Sequence, residues 1–304
     1  NLKKMITTVF FDLDGTLLPM DMNEFTSGYF KLPDAKLYYG LYNIGLDNIK
    51  AFITLNDNNI NIQNISLSVL NQPLKMYGTI KSDSTADLHV TSQNLSLKGL
   101  LIALGQAPLM KENNITSGTI SLNADAIGKL ASIKPSAKVL LNNINLKNIP
   151  SDTILKAPNT VVNINSDGKT FTAKANVSDL KAINPAITVS SPALLVSADD
   201  KNINISKSKI TADNIHFTLS GKINDYMKSV MGIDIVTIGD INSALTGDVN
   251  LEKQTLNLNF SAPRDNLIVI PMFNKSKMTF NGNLGITGSM LNPILAGNFV
   301  IPSI

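Results

Sequence analysis

Apolar and polar residues alternate along most of the chain. Residues 255–260 (TLNLNF) are apolar at every second position, and residues 202–206 (NINIS) and 215–219 (IHFTL) repeat the pattern. Successive side chains of a β-strand point to opposite faces, so each run predicts a strand with one apolar and one polar face. From about residue 35 onward we therefore expect half-buried antiparallel strands with one face in water.

Turn signals divide these runs. Aspartate, asparagine and glycine tolerate positive φ and suit tight hairpins. They cluster at 57–59, 167–168, 199–202 and 281–282. The spacing of the runs predicts roughly 16 to 20 strands. Helices are expected only as short insertions or end caps, at 95–107, 124–133 and 224–231.

A glycine recurs inside the strands after an apolar-polar pair. It stands at Gly78, Gly221, Gly247 and Gly288, where it predicts a bulge or a sharp bend. A sheet with one apolar face must pack on a second sheet, close into a barrel or curl into a groove. Weakly repeating hairpins favour the elongated solution. We predict a predominantly antiparallel all-β fold: an elongated, curled β-sheet groove of repeated hairpins with a few short helices, plus a short N-terminal α/β-type fragment.

The first 32 residues follow a different pattern. Residues 7–11 (TTVFF) form an apolar, β-branched and aromatic run, as is typical of a strand buried on both faces, and residues 12–18 (DLDGTLL) follow directly. Residues 23–31 are expected to form a helix or a lid. We therefore divide the chain into an incomplete N-terminal fragment, 1–32, and a β domain, 33–304.

Composition excludes several functions. The chain has 304 residues, a formal net charge of +3, no Cys and two His. Without Cys there is no disulfide framework, thiolate zinc site or Cys nucleophile. A single arginine, Arg264, makes no basic patch, so we expect no nucleic-acid partner. His89 and His216 are out of phase with their apolar neighbours, so we expect both on the polar face, without a ligand role.

No segment is expected to cross a membrane or to act as a signal peptide. A membrane-spanning helix needs about 20 apolar residues, and the apolar run that starts at Leu95 is interrupted by Lys98. The apolar run at the N-terminus ends at Asp12, and no small-residue cleavage site follows. We expect both ends of the chain to be cut from something longer.

The end of the chain resembles a known family. Residues 282–301 run as a strand, a Thr-Gly-Ser step, Asn292-Pro293 and a second strand with Gly297. This resembles the AsmA-like and TamB-like proteins of diderm bacterial envelopes, as do residues 219–226 followed by 233–235. The resemblance covers about residues 33–304. It implies a taco-shaped β-sheet that carries phospholipid acyl chains across the periplasm between the inner and outer membranes, without a cofactor.

The same resemblance implies a setting and a set of contact residues. It implies a periplasmic location with an anchor outside this chain, a role in outer membrane biogenesis, and envelope proteins of both membranes as partners. Acyl chains need a continuous apolar trough, and each buried methylene contributes about 0.8 kcal/mol. We expect the lipid contacts at Ile203, Ile205, Ile215, Phe217, Leu219, Leu256, Leu258 and Phe260. The alternating pattern alone is equally compatible with a dry sandwich core or a structural β-solenoid.

Residues 9–18 (VFFDLDGTLL) resemble the first motif of the haloacid dehalogenase superfamily of phosphatases. The resemblance implies that Asp12 is the nucleophile, that Asp14 is the general acid/base, and that Mg²⁺ binds the Asp12 carboxylate and the Asp14 carbonyl. It also implies a cytoplasmic location. A Mg²⁺-dependent phosphatase is therefore the alternative function.

The other motifs of that enzyme are weak or missing. Asp199 and Asp200 have the form of its acidic motif but equally that of a hairpin turn, and residues 188–190 match its second motif weakly. No βα alternation joins them into a parallel sheet. So short a fragment cannot bury a core, and we expect Asp12 and Asp14 to be inert.

Overall fold

The computed structural model describes residues 27–39, 44–69, 72–103, 113–270, 276–290 and 292–303. These residues form 18 strands, one short helix, α1 (Leu97–Ala103), and a 3₁₀ turn at Leu130–Ser132. The predicted all-β fold with few helical segments is confirmed, and the strand pairings are antiparallel, for example between β3 and β4 and between β15 and β16.

The strand bounds are as follows. The first nine are β1 (Ser27–Leu32), β2 (Leu37–Tyr39), β3 (Ile44–Asn56), β4 (Asn59–Val69), β5 (Gln72–Ile80), β6 (Thr85–Ser96), β7 (Asn113–Lys129), β8 (Lys134–Asn148) and β9 (Thr153–Ser166). The others are β10 (Phe171–Ile183), β11 (Thr188–Asp199), β12 (Asn202–Ala212), β13 (Ile215–Asn224), β14 (Val230–Gly239), β15 (Ser243–Asn250), β16 (Thr255–Ile270), β17 (Ser276–Ser289) and β18 (Pro293–Ser303).

The chain divides into two compact units, and the boundary between them cuts through β7, β8 and β9. The first unit comprises Asn1–Lys111, Ser117–Leu140 and Asn165–Lys169. The second unit comprises Glu112–Thr116, Leu141–Ile164 and Thr170–Ile304.

In the first unit the strands from β3 to β7 pair in chain order. β1 and β2 pair with different stretches of β3: Leu32 lies opposite Ala51, and Leu37 lies opposite Leu46. The expected helix or lid over 23–31 is therefore wrong for residues 27–31, because their backbone groups bond to β3. Residues 27–32, which the sequence pattern assigns to the N-terminal fragment, pair with β3 and belong to this sheet.

In the second unit the strands from β10 to β18 also pair in chain order. Each strand runs antiparallel to the next, so the unit is a meander of hairpins. The ladder contains register shifts, for example between Ile205 and Ser208 of β12 and between Ala262 and Asn266 of β16. These bulges let long strands bend without losing the pairing on either side of the irregularity.

Two of the three expected helices are wrong, because neither segment is α-helical. α1 lies inside the expected segment 95–107, of which residues 104–107 fall outside the described residues. The segment 124–133 continues β7 to Lys129, and 224–231 is a turn followed by β14. Alanine suggested a helix at 124–126, but these small residues lie opposite Val90 and Leu88 of β6, and cross-strand packing overrides the local preference.

Most of the expected hairpin turns are present. Asp57 and Asn58 have φ of 48° and 60° between β3 and β4, and Gly168 has φ of 90° between β9 and β10. The expected turn at 281–282 is wrong. Gly282 lies inside β17, opposite Ala262 and Phe299, so its dipeptide is an extended part of the sheet.

Candidate functional site

One face of the second unit is apolar across successive strands. Directly paired residues of an antiparallel ladder point to the same face, so the registers trace that face from strand to strand. Phe217 of β13 lies between Ile210 and Gly239, and Leu258 of β16 lies between Gly247 and Ile286. We define the apolar face of the second unit by Ile203, Ile205, Ile210, Ile215, Phe217, Leu219, Ile223, Ile233, Ile235, Leu245, Val249, Leu256, Leu258, Phe260, Leu284, Ile286 and Leu295.

All eight residues expected to contact lipid lie on this face. Ile203, Ile205, Ile215, Phe217 and Leu219 come from the β12–β13 hairpin, and the other three come from β16. The face runs from β12 to β18, which is about 29 Å at the usual spacing between neighbouring strands. Alternation predicted which side chains share a face within one strand. The strand registers show that these side chains lie on the same face of the sheet from one strand to the next.

The side chains of this face are only partly buried. Ile210, Ile215 and Val249 are 7%, 3% and 8% exposed, whereas Phe217 and Phe260 keep a larger part of their surface accessible. Leu295 of β18 is 60% exposed. In a dry sandwich core, facing side chains interdigitate at high density, and large aromatic rings would be enclosed.

The first unit has a matching apolar face. Its members come from β3 to β7: Ala51, Ile53, Leu55, Ile60, Ile62, Ile65, Leu67, Leu74, Met76, Ile80, Leu88, Val90, Leu95, Ile120 and Leu122. Ile62, Leu95 and Ile120 are almost fully buried, and most other members keep intermediate exposure. The two units therefore share the same division into an apolar and a polar face.

At one glycine in each unit, a side chain would collide with the backbone of the neighbouring strand. Gly78 has φ of 144°, and a Cβ added there would lie 2.1 Å from the carbonyl oxygen of Asp87. Gly247 has φ of 130°, and its Cβ would lie 2.2 Å from the carbonyl oxygen of Asn257. No side chain fits at such distances. The positive φ and the blocked Cβ position explain why both residues are glycine. The registers on both sides of Gly247 are uninterrupted, so the expected bulge is absent at that glycine.

The hydroxyl groups on the apolar side of the second unit serve the backbone. Ser191 and Ser208 are each 2% exposed. The Ser191 hydroxyl donates to the carbonyl of Lys209 (2.8 Å), and the Ser208 hydroxyl donates to the carbonyl of Ser206 (2.9 Å) beside the β12 bulge. Among the described residues, no buried side-chain nitrogen or oxygen lacks a partner. These hydroxyls therefore stabilise the irregular strands.

Both histidines lie on polar faces, as expected. His216 is exposed, and its Nδ1 lies 3.2 Å from the Thr211 hydroxyl. His89 lies 2.5 Å from Asp125 through Nδ1 and 3.0 Å from Asp87 through Nε2, and its ring stacks on Tyr77. Sequence reasoning missed this cluster, because Asp125 lies 36 residues beyond His89 and only the β6–β7 register brings them together.

This cluster does not have the form of a metal site. The two carboxylates bind opposite nitrogens of one imidazole ring, so all three groups cannot converge on one ion. Across the part of the chain that the structure describes, no group of three or more His, Cys, Asp or Glu is arranged to hold a metal. Asp12 and Asp14, which carry the conditional Mg²⁺ and catalytic assignments, lie outside the described residues.

Asp199 and Asp200 are turn residues. Asp199 ends β11, and its carboxylate accepts the N–H groups of Lys201 and Asn202, both at 2.8 Å. These two bonds are the main reason that the pKa of Asp199 lies below its usual range. Asp200 accepts the N–H of Phe171 at 3.1 Å. The hairpin explains the acidic pair without a phosphatase site.

A cavity of about 500 Å³ lies on the second unit among residues of β9 to β12. Lys174 and Asn176 of β10 line it together with their partners Ser197 and Leu195 of β11. These pairs alternate with the pair Ala175–Val196, and Val196 lies opposite Ile205 of the apolar face. The cavity is therefore lined in part by the polar face of the sheet, and it does not coincide with the apolar face.

Comparison of the chain with protein-family models, curated proteins and solved structures gives no significant match. The resemblances to the AsmA-like and TamB-like proteins and to the phosphatases therefore stay predictions. Within the described residues, no helix combines the length and the apolar character needed to cross a membrane.

Proposed function

We propose that the apolar face of the second unit binds phospholipid acyl chains. The observation that carries the proposal is the continuity of this face from β12 to β18, with partly exposed aliphatic and aromatic side chains in every strand. Such a surface is unfavourable in water unless something apolar covers it. An acyl chain can do so without any directional contact.

The dimensions of the face suit this ligand. The acyl chain of one leaflet reaches about 15 Å, half the thickness of the hydrocarbon core of a bilayer. Three strand spacings cover about the same distance, so the face from β12 to β18 accommodates an acyl chain laid across the strands. Ten buried methylenes contribute about 8 kcal/mol before the entropy of ordering the chain is subtracted.

The chemistry of the face suits binding without a reaction. Its members are aliphatic or aromatic, and the buried hydroxyls at Ser191 and Ser208 already bond to backbone carbonyls. Contacts of this kind discriminate poorly between lipids, so the role we propose is carrying or conducting lipid. The resemblance to the AsmA-like and TamB-like proteins extends the proposal to movement between the inner and outer membranes, in a periplasmic setting with envelope proteins as partners.

The test uses two neighbouring residues of β16. Leu258→Lys places a charge on the apolar face, whereas Asn257→Lys places the same charge on the exposed opposite face. We expect phospholipid to co-purify with the original protein and with Asn257→Lys, as detected by native mass spectrometry. Leu258→Lys should lose at least about tenfold of the bound lipid, because a charge in an apolar site is strongly disfavoured.

A transfer assay supplies the second readout. Movement of a fluorescent phospholipid between donor and acceptor vesicles is measured with the same variants and with the pair Phe260→Lys and Asn259→Lys. The proposal predicts that only the substitutions at Phe260 and Leu258 suppress transfer. Absence of bound lipid in the original protein, or equal loss in both members of a pair with the fold retained by circular dichroism, would overturn it.

A further inference from the structure

Four side chains form a compact cluster on the polar face of the first unit. Tyr77 of β5, His89 of β6 and Asp125 of β7 lie directly opposite one another in the ladder. Asp87 precedes His89 by two residues and so points to the same face. The Tyr77 and His89 rings stack with centroids 5.0 Å apart and planes inclined by 26°. The cluster therefore ties three neighbouring strands together.

The hydrogen bonds of His89 require its charged form. Asp125 lies at Nδ1 (2.5 Å) and Asp87 lies at Nε2 (3.0 Å). An ionised carboxylate only accepts hydrogen bonds, and a neutral imidazole has a single N–H. Both contacts are satisfied together only when both ring nitrogens carry protons. A neutral His89 would leave one carboxylate facing an unprotonated nitrogen.

The cluster lies on the face of the sheet behind Gly78. Gly78, at which an added Cβ would collide with the backbone of β6, is paired with Leu88. Leu88 stands between Asp87 and His89, and Tyr77 is adjacent to Gly78. The side chains of the cluster thus flank the Gly78–Leu88 pair on the face opposite the apolar one.

We propose that His89 acts as a pH-sensitive clamp: while it is protonated, it binds Asp125 of β7 and Asp87 of its own strand and stacks on Tyr77 of β5, and it thereby holds β5, β6 and β7 together. Deprotonation of His89 releases one of the two carboxylates and loosens this part of the sheet. The clamp is a conformational device of the first unit, and it does not depend on lipid binding by the second unit.

The charges around the clamp support this direction of response. The hydrogen bond to Asp125 is the main cause that raises the pKa of His89 above its usual 6.5; desolvation acts in the opposite sense, and the charges of both carboxylates add to the rise. The cations on the neighbouring strands are Lys75 on β5, Lys129 on β7, and Lys134 and Lys138 on the part of β8 that belongs to the first unit, while β4 carries no charged residue. None of these lysines contributes appreciably to the shift.

The sign of the effect on stability follows from the raised pKa. The contribution of the clamp is fully present below the pKa of His89 in the unfolded chain, near 6.5, and disappears as the pH rises through the higher value of the folded state. The clamp is therefore closed in mildly acidic solution and open in alkaline solution.

The first experiment is a pH titration of the imidazole signals by NMR on the full chain. The chain has two histidines, so His216→Gln assigns both signals. We expect the midpoint of His89 to lie above 6.5 and to fall by about half a unit or more in Asp125→Asn, because the main stabilising acceptor is lost. A His89 midpoint that Asp125→Asn leaves unchanged would overturn the proposal.

The second experiment measures the looseness of the sheet. Amide hydrogen exchange at Leu88 and Ala126 is compared between the original protein and His89→Gln at pH 6 and at pH 8.5, with His216→Gln as the matched control. The clamp predicts faster exchange in His89→Gln at pH 6 and equal exchange at pH 8.5. A purely structural contact would give the same acceleration at both pH values, which would refute the clamp. If His89→Gln does not fold, Asp125→Asn takes its place.

Discussion

The surroundings of Gly78 and Gly247 show what the two units share and where they differ. Each glycine has positive φ, leaves no room for a Cβ beside a backbone carbonyl oxygen, and lies opposite a leucine of the apolar face, Leu88 or Leu258. Behind Gly78 stands the charged cluster around His89. Behind Gly247, by contrast, Asp248 pairs with the neutral Asn257.

The apolar faces of the two units have the same construction. In both, aliphatic residues share the face with a glycine at which no side chain fits. The polar side has no such constraint, because its residues need only be compatible with water and with each other. Properties that distinguish one region from another, such as a response to pH, therefore arise on the polar side.

The largest expected effect comes from placing a side chain at the two glycines. Gly247→Ala and Gly78→Ala should each lower the free energy of unfolding by about 4 kcal/mol or more, because the methyl group meets a backbone oxygen and φ is unfavourable for alanine. Gly285→Ala is the control, since its Cβ would lie 3.4 Å from the nearest atom. Urea denaturation measures all three. Equal losses of stability at Gly247 and Gly285 would show that the backbone oxygen beside Gly247 does not exclude a side chain.

A second prediction compares two neighbouring positions of β13 on the apolar face. Ile215 is 3% exposed, and Ile215→Ala should cost about 2–4 kcal/mol of stability, as for other buried aliphatic residues. Phe217 is partly exposed, and Phe217→Ala should cost less than the 3–5 kcal/mol that is typical of an enclosed aromatic ring. Denaturation of lipid-free protein tests both. A Phe217→Ala cost at the top of that range would indicate a dry, closed core.

A smaller effect on stability distinguishes the residues that precede the two glycines, Tyr77 and Thr246. Tyr77→Leu removes the ring that stacks on His89, and we expect a loss of about 0.5–1 kcal/mol at pH 6 that diminishes at pH 8.5, because a neutral imidazole interacts more weakly with the ring. Thr246, which precedes Gly247, is the matched position in the second unit. Thr246→Leu should show no such difference between the two pH values in thermal denaturation. Parallel pH responses of both variants would contradict a specific role for His89.

The smallest expected effect concerns turn aspartates, one in each unit. The side chain and then the N–H of Thr85 bond to Asp83, and two backbone N–H groups bond to Asp199, so the pKa of each carboxyl is lowered. Their contributions to stability are present above the usual value of 3.8 and are lost as the pH falls through the lowered values. Asp199→Ala should therefore reduce the denaturation midpoint slightly more than Asp83→Ala at neutral pH. Both differences from the original protein should vanish in strong acid.

Local patterns predicted much of the candidate face but little of the cluster around His89. Alternation in residues 255–260 placed Leu256, Leu258 and Phe260 on one side of a strand, because the side-chain period of a strand is two. Local residue preferences were wrong at residues 124–133, where alanines favour a helix but β7 pairs with β6. They were also wrong at Asn281-Gly282, a typical turn dipeptide that lies inside β17.

By itself, the sequence determined the strand content, the two-faced character of the strands and the positions of the repeated glycines, since these follow from side-chain period and backbone sterics within a few residues. The tertiary structure alone decided which strands are neighbours and in which register. A shift of one residue would move every side chain to the other face. That register joins Ile203 to Leu258 across four strand spacings, and it brings Asp125 to His89.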